Sequence, residues 1–176
     1  MQAMATSRYA AIVGTTALAL TTACFAPSVA AAATDDEAAI RALEDRFAAA
    51  FNAADVDAIM KVYVPDESLV VFDVVPPRQY VGANAYRKDW VDFFAFFKDP
   101  PKFDITDISV TADRNVGFGH SIQRVRGTDA KGQPVDLTVR VTDGYRKIGS
   151  NWLIAHEHVS VPVDLETGKP DLSSKP

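Results

Sequence analysis

Residues 46–72 read RFAAAFNAADVDAIMKVYVPDESLVVF: an amphipathic helix, a break at Asp55, a second short helix and an apolar strand. Ile40, Leu43, Phe47, Phe51 and Ala54 recur at the spacing of one helix face. Thr34 followed by Glu37 makes a capping box and sets the start of that helix. Asp55 can cap the next helix, through Ile59, Met60 and Tyr63, which must stop at Pro65 because a proline pushes its predecessor out of the helical region. Residues 68–72 are apolar and β-branched, Pro76-Pro77 breaks the chain, and residues 79–81 suit a second short strand.

Downstream, residues 83–97 place Tyr86, Trp90, Phe93, Phe94 and Phe97 on one face of a third helix, a stripe that packs into a core. Four long strand-like runs follow, at about residues 103–111, 116–126, 135–147 and 152–161. Long strands with tight connections imply an antiparallel, strongly twisted meander. The expected fold is α+β: three N-terminal helices packed in the concave face of a curved, mostly antiparallel sheet, a cone with one pocket.

The first 33 residues read as a signal peptide. Arg8 precedes an apolar run too short to span a bilayer, and small residues at 28–30 or 31–33 suit cleavage. Residues 34–161 then form the domain, and the polar, proline-punctuated residues 162–176 an extended or disordered tail. The chain is accordingly expected to be exported, periplasmic or extracellular, and free of the membrane after cleavage. Cys24, the single cysteine, lies in the leader at a spacing that disfavours lipid anchoring and leaves no thiol for a disulfide or a metal. With Arg8 gone, 17 basic side chains face 23 acidic ones, a net charge of −6 without any basic cluster. That argues against a nucleic-acid partner.

Alternation along the strands points to the site. Leu137, Val139 and Val141 share a face with Asp143, and Leu153, Ala155, Val159 and Val161 share one with Glu157. A carboxyl in an apolar row must be paired, protonated or solvated by a cavity. Gly117, Gly119, Ser121 and Gln123 would leave room beside them, although Val116, Phe118 and Ile122 make the opposite row the more apolar one. His120, His156 and His158 fall on the other face with Arg124 and Arg140, as a polar outer surface or subunit interface. His-x-His on a strand is a loose metal signal, and neither metal nor cofactor is expected.

The order Phe51-Asn52, Asp55, Ile59, Tyr63, Asp66, then Trp152-Leu153-Ile154, resembles the SnoaL-like, ketosteroid-isomerase-like superfamily, whose cone is shared with nuclear transport factor two. His156-Glu157-His158-Val159-Ser160 also resembles the closing strand of the calcium/calmodulin-dependent kinase association domain. The resemblance covers about residues 35–161. It implies a homodimer and an isomerase-like constellation of base, tyrosine and protonated aspartic acid. Phe47 stands at the tyrosine's place, Val71 at the base's, and Asp143 at the aspartic acid's. Asp73, two residues beyond Val71, can substitute as base. Two readings follow. One is a binding module for a small apolar or amphipathic ligand, lined by Phe47, Tyr63, Val71, Trp90, Phe94, Gln123 and Val159. The other is a cofactor-free isomerase or hydratase using Asp143 with Glu157 or Asp73 as acid and base.

Overall fold

A computed structural model describes residues 34–174; the expected signal peptide and Cys24 lie outside them. Helix α1 spans Asp35–Asn52, and Thr34 and Glu37 form the reciprocal capping box at its start. Its inward stripe, Ile40, Leu43, Phe47 and Phe51, is at most 2% exposed. Asp55 caps α2, Val56–Met60, by accepting from the Ala58 N–H at 2.9 Å. Strands β1 (Val70–Phe72) and β2 (Tyr80–Val81) precede α3, Ala83–Ala95. Gly82, at φ 87°, supplies the turn into α3, a conformation that a side chain would strain.

Strands β3 (Lys102–Asp113), β4 (Val116–Thr128), β5 (Pro134–Ile148) and β6 (Asn151–Ser160) form the meander. They join β1 and β2 in one six-stranded sheet of order β2-β1-β6-β5-β4-β3. Every pairing is antiparallel except β1 with β6. The helices cover one face of this curved, open sheet, and the core lies between them: Phe47, Ile59, Tyr63, Val71 and Ile154 are all nearly solvent-free. The fold is the α+β cone that the apolar pattern implies.

The inward face carries the odd-numbered row of β4: Ser121, Gln123 and Val125 are buried, whereas Val116 and Phe118 are exposed. The row of β5 through Val139, Val141, Asp143 and Tyr145 is likewise buried. Strand β6 departs from simple alternation. Tyr145 pairs with Ile154 but Gly144 pairs with His156, so a bulge at Ala155 inserts one extra residue. Trp152 and Ile154 therefore face inward before the bulge and Glu157 after it. This corrects the expected row of Leu153 and Ala155: one unpaired residue reverses the face of everything before it.

Beyond β6 the chain stays mostly exposed but is tied down, with the Thr138 N–H donating to the Leu172 carbonyl at 2.8 Å. Lys147 and the Trp152 indole both donate to Asp36, at 2.6 and 3.0 Å, and so clamp the first turn of α1 to β5 and β6.

Candidate functional site

A cavity of about 400 Å³ lies between the helices and the sheet, within the usual range for small-molecule sites. Phe47 and Phe51 of α1, Trp90 and Phe93 of α3, and Phe103 of β3 supply aromatic wall; Gln123, Val139 and Val159 continue it along the sheet. The rings brace one another. Phe51 stacks on Phe103 with centroids 4.2 Å apart and meets Trp90 edge-on at 5.5 Å. A space walled by interlocked rings stays open because closing it would break contacts that are already well packed.

Carboxyls form a line behind and along this wall. Glu157 of β6 pairs in register with Asp143 of β5, and Asp143 with Gly119 of β4. Glu157 reaches the cavity although only 4% exposed. Its Oε2 accepts from the Tyr63 hydroxyl at 2.7 Å and its Oε1 from the Tyr86 hydroxyl at 2.5 Å. Glu44 of α1, 3% exposed, accepts from the Tyr145 hydroxyl at 2.8 Å. Gly119 makes that bond possible: a Cβ there would lie 3.0 Å from the Tyr145 hydroxyl oxygen and 3.2 Å from its ring. Asp143, between the two glutamates, is 3% exposed and its Oδ1 has no hydrogen-bond partner.

Burial sets the protonation of this line, because loss of hydration disfavours the charged carboxylate. It pushes Glu157 up to about 7, against the pull of Tyr86 and Tyr63 and with repulsion from Asp73 and Glu44. Glu44 is pushed up to about 7 in the same way, with Tyr145 opposing. Asp143 is raised well above the ordinary carboxyl range, first by burial and then by Glu157 and Glu44. Two further carboxyls face the cavity from other elements. Asp73 follows β1 and accepts from the Val74 N–H at 2.5 Å; Asp89 of α3 accepts from the Tyr80 hydroxyl at 2.6 Å. Burial raises both, and Asp89 adds to the shift of Asp73.

Of the residues expected at the site, Glu157, Asp73, Phe47, Trp90, Gln123 and Val159 line the cavity. Asp143, Tyr63, Val71 and Phe94 lie off its wall. Val71 is fully buried beside Glu157 in the parallel β1–β6 register, and Tyr63 spends its hydroxyl on Glu157. Phe94 turns to Phe51 and Trp90, at 5.3 and 5.9 Å, while its neighbour Phe93 takes the place on the wall. Glu44, Tyr145 and Asp89 were not among the expected residues. Glu44 carried a legible signal, since it falls four residues after Ile40 and three before Phe47, on the buried stripe of α1.

The histidines face outward. His120 and His158 are exposed, and Phe72 meets His156 and His158 edge-on at 5.0 and 5.6 Å. Among the described residues no group of three or more histidine, cysteine, aspartate or glutamate side chains is placed to hold a metal ion.

The chain is 31% identical to an NTF2-like protein of unknown function from Pseudomonas putida KT2440, with a TM-score of 0.73 over 82% of this chain and 99% of that one. A ketosteroid isomerase-like protein from Erwinia carotovora atroseptica is 22% identical, with a TM-score of 0.62 over 72% of this chain and 95% of that one. A Salmonella enterica protein of the nuclear transport factor 2-like superfamily is 14% identical, with a TM-score of 0.67 over 76% and 95%. These last two likenesses concern the fold alone. No curated protein matches at a significant level. Residues 40–164 match the model of the SnoaL-like domain, and with this cone and this cavity the chain belongs to the SnoaL-like family.

Proposed function

We propose that the protein is an exported binding module that holds a small, ring-sized, mainly apolar ligand in its cone. The observation that carries this reading is the cavity: about 400 Å³, walled by interlocked aromatic rings, with a polar anchor, Glu157, held in place by two tyrosine hydroxyls. An apolar ligand of that size gains from burial against the rings, and the carboxyl orients its polar end. In a thermal-shift screen against steroids, polycyclic ketones and fatty acids, a ligand at about a hundred times its dissociation constant should stabilise the fold by about 2.7 kcal/mol. Val159→Phe, which fills wall space, should abolish the shift without unfolding the protein. Hits unaffected by Val159→Phe would place the ligand elsewhere and sink the reading.

We further propose a homodimer through the outer sheet face, where Phe72, Val116 and Phe118 stand exposed beside the histidines. An exposed apolar surface of this kind favours association. Light scattering should return twice the chain mass, and Phe118→Asp should return the monomer; a wild-type monomer overturns the proposal.

A second reading has its own support. Glu157 is poised near 7 on the cavity wall, beside the Val71 position where the resemblance puts the isomerase base. A carboxylate so poised suits proton abstraction from a ring ketone, a step typically worth about 10²–10⁴-fold. Glu157→Gln separates the readings. Turnover of a bound ketone that disappears with affinity retained marks an enzyme; an absence of turnover in the wild type marks a binding module.

A further inference from the structure

The cavity wall is one-sided in charge. Among the described residues that line it are three carboxylic acids, Asp73, Asp89 and Glu157, and no lysine, arginine or histidine. They come from three separate elements, the segment after β1, α3 and β6, so the arrangement belongs to the cavity and not to one acidic run. The acids also act on one another: Asp89 raises Asp73, and Asp73 raises Glu157. Mutual repulsion in a poorly hydrated space is relieved by a cation placed among the charges.

Two independent features agree with such an occupant. Much of the rest of the wall is aromatic, with Phe47, Phe51, Trp90 and Phe103 presenting rings to the same space, and ring faces attract organic cations. The indole N–H of Trp90, a side chain 8% exposed, has no hydrogen-bond partner. Trp90 lines the cavity, and a buried donor without a partner on a lining side chain can be met by an acceptor on the ligand.

We propose that this cavity takes an organic cation: a protonated amine carried on an apolar or aromatic ring body, with an oxygen or nitrogen acceptor for Trp90. The proposal rests on the binding-module reading and adds the ligand's charge to it. The ammonium sits among Glu157, Asp73 and Asp89, and the ring body lies against the phenylalanines. Carboxylate ligands are repelled, because nothing on the wall neutralises them.

The binding carries a pH signature. Glu157 faces Tyr63 and Tyr86, with Asp143, Glu44 and Asp73 nearby; Asp89 faces Tyr80 and Asp73, with Asp92 and Lys88 beside it in solvent. Burial raises Glu157 to about 7 in the free protein, so a cation bound beside it displaces its proton. Amine affinity should therefore rise with pH, by up to about tenfold per unit below 7 where one proton is released.

The test uses a matched trio, naphthylmethylamine, naphthylmethanol and naphthoate, titrated into the full chain and followed by tryptophan fluorescence. Trp90→Phe serves as the control that the signal comes from the cavity, since Trp152 is not on its wall. The alcohol and the acid offer Trp90 an acceptor that the amine lacks, so any preference for the amine reports charge. The expected result is an amine at least about tenfold tighter than the alcohol, no binding of naphthoate, and a preference that grows from about pH 6 to about pH 8. Glu157→Gln should erase most of that preference. Asp89→Asn, at a partly exposed position, should reduce it if the glutamine variant does not fold. An alcohol that binds as tightly as the amine, or bound naphthoate, overturns the charge assignment and leaves the binding module standing. If none of the trio binds while neutral ring ligands do, the charge assignment is again wrong. If no ring ligand binds at all, the binding module falls with it.

Discussion

Raising the pH from about 5 to about 8 is expected to lower the melting temperature by about 10 °C, a loss of at least about 3 kcal/mol. Glu44 and Glu157 each rise from an ordinary value of 4.5 to about 7 on folding, chiefly through burial. A carboxyl raised in this way binds its proton more tightly in the folded protein than in the unfolded chain. Its favourable contribution is whole below 4.5 and drains away as the pH climbs through 7. Asp143, between the two glutamates, acts in the same direction. The three share one buried network, so their protons leave in steps and not at a single pH. On the acid side the sign reverses. Asp36 is held below the usual range, first by Lys147 and then by Trp152, and Asp66 by Ser68, so what they contribute is lost only as the pH falls below 3.8. Stability should peak between these limits, in mildly acidic solution. Melting followed by circular dichroism across the range checks it, and Glu44→Gln and Glu157→Gln should each flatten the alkaline limb. A melting temperature unchanged from pH 5 to pH 8 would mean that these carboxyls are hydrated in the folded protein.

The residues that build the cone announce themselves over short distances, whereas those that tune the cavity depend on contacts across the chain. The Thr34–Glu37 box, the Asp55 cap and the stripe from Ile40 to Phe51 are local signals, and α1 and α2 start accordingly, although α2 ends at Met60, short of the expected stop at Pro65. Asp143 stood out because it interrupts an apolar alternation, and that alternation holds along β5. The bulge at Ala155 gave no such notice. It exists only in the pairing of β6 with β5, so the inward turn of Trp152 and Ile154 cannot be read from β6 alone. Tyr63 shows the same limit. Helical spacing directs it inward, but only the position of Glu157, 94 residues away, decides that its hydroxyl serves a carboxyl instead of the cavity. Glu44 was visible on the α1 stripe, yet its importance depends on Tyr145, which reaches it across 101 residues of sequence and through the space left at Gly119.

Truncating Phe51 to alanine should be among the most damaging single changes to this fold, costing about 3–5 kcal/mol and about 10 °C in melting temperature. Phe51 is 2% exposed and is the hub of the aromatic wall. Besides its stack on Phe103, it meets Phe47, Trp90, Phe93 and Phe94 with centroids between 5.3 and 6.1 Å. Removing the ring forfeits its transfer from water and the contacts of five neighbours at once. The void would open into a cavity that already exists. Water or ligand can then enter it, which places the expected cost at the lower end of the range. Phe96→Ala provides the contrast. Phe96 also lines the cavity but is 52% exposed, and its loss should cost less than about 1 kcal/mol. Denaturant unfolding of both variants measures the difference, with an unchanged slope as the sign that the same cooperative unit unfolds. Equal costs would mean that the rings form a loose lining and not a braced wall. A large gap would show that the wall of the cavity and the core of the protein are one structure, so that the space for a ligand persists because the fold depends on the rings around it.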